Sequence, residues 1–303
     1  MVEVKIGERV LKLSNLEKVL YPKTGFTKAE VIDYYARVAD VMVPHLKGRC
    51  ITMRRWPDGV AAASFFEKNC PSHRPDWVET APGPGHNKTL PKRSDGSYEA
   101  IEYCTFAESA GLVWTANLAA LELHAPMAQA ADLECPTMAV FDLDPGEPAG
   151  MRECCQVALA LKDVLSAIGL EGWAKTSGSK GMQVYVPINA PTSHEAAATF
   201  ALAVGQLLAR QLPKLVLVEM DKALRHGKVF VDWSQNSHHK TTIAPYSLRG
   251  NAEPTVSTPL LWDEVAQGAD GSRLFFGPDE VLARIGNVGD VFTETLSRVQ
   301  ALP

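Results

Sequence analysis

Asp142 and Asp144 flank Leu143 at the end of the apolar run 138–141, and Pro145-Gly146 follows at once. A strand that ends this way turns residues i and i+2 to one side, with Cα atoms about 6.5 Å apart. Two carboxylates so placed repel each other unless a cation lies between them, and oxygen donors of this kind suit divalent metals. The run 228–231 ends in Asp232 in the same manner. Three strand-borne carboxylates on neighbouring strands can hold two divalent ions roughly 3.5–4 Å apart, the clamp used for in-line phosphoryl displacement. Asp-Pro-Gly is also a good turn, so either aspartate alone would read as a turn or cap residue. The pair with a strand-end partner favours chemistry.

A second constellation is Ser177-Gly178-Ser179-Lys180-Gly181. Its glycines let backbone N–H groups approach anionic oxygens, its hydroxyls can donate, and Lys180 supplies a point charge. It is not a Walker A loop, because G-x-x-x-x-G-K-[ST] is absent. Alone the loop reads as an ordinary hairpin turn; beside a carboxylate cluster it is what a nucleoside triphosphate needs. Arg54 and Arg55 precede Phe65 and Phe66 by about ten residues, the mixture of guanidinium and aromatic groups that binds backbone phosphates and stacks bases, with core packing an equal alternative for one phenylalanine. His124 closes the apolar run 121–123, where a satisfied, partly buried histidine is the plainer expectation.

The 303 residues, 46% of them hydrophobic, are enough for a large core and exclude disorder as the default. The net charge of −5 speaks against a uniformly basic surface. Residues 1–60 nevertheless hold eleven Lys/Arg against seven Asp/Glu, and residues 221–250 hold five against two, so a local basic face is permitted. The stretch 196–209 is too short for a bilayer span and the N-terminus has no secretory pattern, so a cytoplasmic, nucleoid-associated protein is expected. The six cysteines show no C-x-x-C spacing and are expected to be reduced and mostly buried. Cys70 and His73 have no second pair to complete a zinc site.

These residues need a scaffold. Thr27 and Glu30 form a capping box ahead of an apolar periodicity that predicts one helix over 28–46. An edge strand is expected within 1–13, strands near 50–55, 63–67 and 99–104, an exposed loop over 82–96, and a helix near 106–120. Beyond the 137–142 strand come a helix over 150–168 stopped by Gly169, strands near 173–176 and 182–186, and a helix over 193–212. Strands at 215–218 and 228–232, a connection over 251–260 and short terminal helices complete the chain. The order lacks a strict βαβα rhythm, which favours α+β.

Read together, the motifs resemble the polymerase domain of bacterial ligase D, a branch of the archaeo-eukaryotic primase superfamily. The likeness runs through Ser14-Asn15-Leu16-Glu17-Lys18, Arg55-Trp56-Pro57-Asp58-Gly59, Phe65-Phe66-Glu67-Lys68, Phe141-Asp142-Leu143-Asp144, the Ser177–Gly181 loop, Val231-Asp232-Trp233-Ser234 and Ser247-Leu248-Arg249-Gly250. It implies a primase-type α+β fold with central antiparallel or mixed β-sheets flanked by helices. It also implies one catalytic domain over 1–303: a DNA- and 5′-phosphate-binding half at 1–125, a metal- and nucleotide-binding half at 126–250, and a helical closure at 251–303. On this likeness Asp142, Asp144 and Asp232 bind two ions, Mn2+ or Mg2+. His124, Ser177, Lys180 and Arg249 hold the incoming nucleotide. Asn15, Lys18 and Lys28 form a pocket for the 5′-phosphate of a gap or end. Arg54, Arg55, Phe65 and Phe66 contact DNA, and Arg225 lies near the primer end. NTP or dNTP, gapped or broken DNA, Ku and a separate or fused DNA ligase are the implied partners, and no membrane is.

One departure stands out. The family commonly has His two residues after the loop's last glycine, and this chain has Gln183, which as a nucleotide-binding residue can still donate to a phosphate oxygen but brings no charge. The implied activity is template-directed primer extension and short gap filling in end joining. Two other readings compete with it. An aspartyl-nucleophile phosphatase would want D-G-T where Pro145-Gly146-Glu147 stands, and a non-catalytic DNA-end adaptor would not need all three aspartates.

Overall fold

The computed structural model describes residues 1–86 and 100–303. Its largest sheet runs in the order Val216–Leu217, Val229–Asp232, Met138–Pro145, Met182–Pro187, Trp173–Thr176, Pro259–Leu260. Every pairing in it is antiparallel except that of Val216–Leu217 with Val229–Asp232. A smaller antiparallel sheet has the order Thr241–Ile243, Ala120–Pro126, Thr52–Arg55, Phe65–Glu67. Sheets and helices mix as the α+β expectation has it.

Alternation along Met138–Pro145 explains the large sheet. Ala139, Phe141 and Leu143 point to one side, into a core shared with helices Met151–Ala167 and His194–Gln211. Val140, Asp142 and Asp144 therefore point to the other side. Met182 and Val184 on one neighbouring strand, and Val229 and Val231 on the other, join the helix-covered core. Burying each such side chain stabilises the fold by about 1.5–3 kcal/mol, which fixes which face is in and which is out. Gly169, at φ +77°, ends the first of these helices as expected.

A second core joins the N-terminal segments to the small sheet, with Tyr34, Tyr35, Met42, Leu46, Leu121 and Leu123 among its buried members. The capping box of Thr27 and Glu30 is present. The single helix expected over 28–46 is instead two, Lys28–Arg37 and Ala39–Leu46, meeting at Val38. Val41 N–H and Met42 N–H both bond to Val38 O, a tightened turn there. The bend lets Tyr34 and Tyr35 on one piece, and Met42 and Leu46 on the other, enter the same core.

Other expectations need correction. The N-terminal edge strand is a hairpin, Val2–Ile6 with Arg9–Leu13, turning at Gly7. The loop expected over 82–96 is strand as far as His86, paired with Ala100–Thr105; residues 87–96 lie outside the described ones. The connection over 251–260 contains two strands, Pro254–Val256 and Pro259–Leu260. The cysteines are not all reduced: Cys70 and Cys104 form a disulfide with Cα atoms 4.8 Å apart. Cys70 N–H bonds to Glu102 O at 2.7 Å, so this segment runs along the Ala100–Thr105 strand and brings the two residues within disulfide reach. No helix among the described residues is long and apolar enough to cross a membrane.

Candidate active site

The acids come first. Asp142 and Asp232 are direct partners across antiparallel strands, and Asp144 follows two residues on, on the same face. Directly opposed side chains have Cβ atoms about 4.5–5.5 Å apart. Burial first, then the charges of Asp144 and Asp232, push the Asp142 carboxyl up to about 7, against a hydrogen bond from Gln183 and the charge of Lys175. Asp144 is raised as well, by burial and by Asp232, with Arg225 opposing. Gln235 Nε2 donates to Asp142 Oδ2 at 3.3 Å. Ser234 donates to Asp232 Oδ1 from its backbone N–H at 3.0 Å and its hydroxyl at 2.6 Å.

Whether these residues suit divalent ions follows from the donors. Three hard oxygen ligands share a face, and the charges of Asp144 and Asp232 raise the proton affinity of Asp142, a repulsion that a cation would relieve. Gln235 Oε1 and Arg225 Nε, buried beside them, have no hydrogen-bond partner among the described residues. No three acid, histidine or cysteine groups among those residues already sit at the spacing of a closed coordination shell. Asp232 is turned into its serine cap, and ligation would draw it away. The donor set fits; the shell would have to close.

The Ser177–Gly181 loop joins Trp173–Thr176 to Met182–Pro187 beside the acids. Ser177 Oγ accepts from Ser179 N–H and Gly181 N–H, both at 3.2 Å, and holds the turn. Gly178 has φ +70°, and a Cβ there would lie 2.7 Å from Arg249 and from the backbone of Val256 and Ser257. The loop is thus pressed onto the hairpin Leu248–Gly250 with Pro254–Val256, which carries Arg249. Asn251 and Thr255 both donate to Gly178 O. Lys180 is exposed and pairs with Glu147 at 3.1 Å. Arg225 stacks on Phe230, 3.8 Å from the ring centre, and Phe230 is the register partner of Asp144.

On the small sheet the structure separates residues that the sequence grouped. Arg54 is opposite Phe66 and Glu122, and lies over Phe66 at 5.1 Å. The Phe66 and His124 rings are 5.8 Å apart, so Arg54, Phe66 and His124 gather on one face. Arg55 is opposite Phe65 on the other face and lies over its ring at 5.3 Å. Both phenylalanines are exposed.

The buried Lys28 donates to Ser14 O at 2.7 Å. Burial first, then the charges of Lys18 and Arg55, bring its pKa down to about 8. Lys18 pairs with Asp58 at 2.8 Å, and the exposed Asn15 has φ +54°. Lys18, Lys28 and Arg55, the last paired with Glu67 at 2.7 Å, thus form a cluster of cations close enough to act on one another.

Two residues escaped the sequence reading. Glu122 is buried and accepts from His124 Nε2 at 2.9 Å and from Gly250 N–H at 3.0 Å, with Arg249 at 3.4 Å and Arg54 at 3.6 Å. Burial acts to raise its pKa, but the His124 hydrogen bond, the Arg249 charge and the remaining donors outweigh it and hold the carboxyl at about 2. Burial lowers the His124 pKa despite Glu122, so the neutral ring donates Nε2–H. A carboxylate inside the apolar run 121–123 was the signal available. The other is Lys175, fully buried two residues before Ser177.

Comparison with known proteins adds an independent line. The sequence profile described as LigD, primase-polymerase domain, matches residues 27–292. The multifunctional non-homologous end joining protein LigD of Mycolicibacterium smegmatis is 46% identical over 286 residues, 94% of this chain and 36% of that protein. The bifunctional non-homologous end joining protein LigD of Bacillus subtilis is 33% identical over 294 residues, 97% of this chain and 45% of that protein. The chain therefore spans less than half the length of these relatives. Among solved structures, the polymerase domain from Mycobacterium tuberculosis ligase D in complex with DNA superposes with a TM-score of 0.85 at 41% identity, over 96% of this chain and 99% of that one.

Proposed function

Because this chain belongs to the LigD primase-polymerase family, it is a nucleotidyltransferase domain, and we propose that it extends a primer on a template, filling short gaps at DNA breaks. The observation that carries this reading is the register pairing of Asp142 with Asp232, with Asp144 two residues on, beside the Ser177–Gly181 loop. The proposed substrates are NTP or dNTP and DNA with a 5′-phosphorylated gap or end; Ku and a separate or fused DNA ligase are proposed partners.

Asp142, Asp144 and Asp232 would hold two divalent ions, Mn2+ or Mg2+, which when bound make the primer 3′-hydroxyl more acidic and offset charge on the departing pyrophosphate. Lys180, once released from Glu147, and Arg249, oriented by Glu122, hold the triphosphate for in-line attack. Ser177 keeps the loop shaped for those phosphates, and Gln183 holds Asp142 in place. His124 bounds the nucleotide on the side of the small sheet, and Phe66 beside it stacks against template bases. Arg54, Arg55 and Phe65 bind the DNA strands, and Arg225, over Phe230, lies beside the primer end. Lys18, Lys28 and Asn15 receive the downstream 5′-phosphate, a contact that positions the strand without reading sequence.

The test is extension of a primer across a gap, with ribo- and deoxyribonucleotides, Mn2+ or Mg2+, and with or without the 5′-phosphate. Asp142→Ala is expected to abolish extension while DNA binding persists. Normal extension by that variant overturns the assignment.

A further inference from the structure

Lys175 stands in one row across the large sheet with Gln183, Asp142 and Asp232. All four side chains therefore share the face of the acids. Its Nζ donates to Ser257 Oγ at 2.6 Å and lies 5.5 Å from the centre of the Tyr185 ring. Ser257 Oγ donates in turn to Thr176 O at 2.9 Å, so it is the acceptor toward the lysine. No described carboxylate pairs with Lys175; the ion pairs nearest the loop are Lys180 with Glu147 and Arg249 with Glu122.

Lysine is almost never fully buried unless paired, and a buried charge without a partner is costly. The counter-charge within reach is the carboxylate row, two strands or about 10 Å away along the sheet. A strut needs no charge at this place; an apolar side chain would fill it at lower cost. Burial pushes the Lys175 pKa well down, and the charge of Asp142 is what acts to keep the ammonium protonated, so the placement makes sense if that charge is used.

We propose that Lys175 is a positioning residue that sets the charge balance of the acid site from two strands along the sheet. It offsets the repulsion among Asp142, Asp144 and Asp232, weakens their hold on a lone divalent cation, and favours the cation when it arrives with an anionic triphosphate. The proposal rests on the reading of the three aspartates as metal ligands. Lys175 touches no substrate, being covered by protein, and acts through its field and through Ser257.

The signature is a pair of opposite effects. At about 10 Å, with an effective dielectric of roughly 40 to 80, one positive charge changes affinity for a doubly charged ion by about 4- to 16-fold. Lys175→Met is therefore expected to bind Mn2+ alone about 4- to 16-fold more tightly, read as free Mn2+ by electron paramagnetic resonance. In extension assays its nucleotide KM is expected to rise by a similar factor with a smaller change in kcat. Lys175→Gln, which keeps a donor for Ser257, should behave alike. Asp142→Ala supplies the baseline for Mn2+ binding.

Unchanged or weaker Mn2+ binding by a folded neutral variant overturns the proposal. So does loss of the folded state in both variants, which would make Lys175 a strut. If the parent itself binds no more Mn2+ than Asp142→Ala, the metal reading fails, and this inference with it.

Discussion

Glu122→Gln changes one atom, yet it removes the charge on which His124, Arg249 and Arg54 converge. The carboxyl is held at about 2 against an ordinary 4.5. That difference stabilises the folded state by about 3 kcal/mol at neutral pH. Glutamine still accepts from Gly250 N–H, but its amide N–H groups then face other donors. A loss of about 3 kcal/mol in a chain of this size lowers Tm by roughly 4–6 °C. The sign with pH follows from a depressed carboxyl: the contribution is full above pH 4.5 and is lost as pH falls toward 2. The gap in stability between parent and variant should therefore shrink by more than half between pH 7 and pH 3. The assay is denaturant unfolding at both pH values, with nucleotide KM measured alongside and expected to rise as Arg249 loses its anchor. A gap that stays constant with pH, or a variant as stable as the parent at pH 7, would refute the reasoning.

Two further predictions follow from geometry already described. Lys28 is charged below about pH 8 and neutral above it, whereas an ordinary lysine titrates near 10.4. The preference for a 5′-phosphorylated gap should be full at pH 6.5 and fade by pH 9, and Lys28→Ala should lack it at both; a Kd ratio indifferent to pH in the parent would exclude Lys28 as the phosphate ligand. The disulfide joins residues 34 apart, for which loop closure gives about 3–4 kcal/mol. Cys70→Ser should melt well below the oxidised parent and together with the reduced parent, and equal melting of all three would show that the bond contributes nothing.

How much was legible depended on how local each signal was. Asp142, Asp144 and Asp232 could be read because each ends an apolar strand run and strands alternate faces. Thr27 and Glu30 could be read because a capping box spans three residues. The break at Val38 could not, because both helix pieces keep the same apolar periodicity and only the shared core requires a bend. Glu122 draws its partners from residues 54, 249 and 250, so its role exists only after folding. Cys70 and Cys104 meet because of a strand-side contact that no spacing rule announces. Lys175 was overlooked because lysine is expected in water, and nothing nearby in sequence says that Ser257 will cover it.

Asp232 reaches its partner through a strand of four residues, Val229–Asp232, and the chain between that strand and Pro145 makes the long excursion through helices and loop. Extra residues in the turns of that excursion are absorbed where they occur. One extra residue inside the strand would swing the acid to the opposite side, among the valines and the helices, and leave Asp142 facing an apolar neighbour. In such a scaffold the loops are free to lengthen and diverge, while the count of residues within one short strand is not.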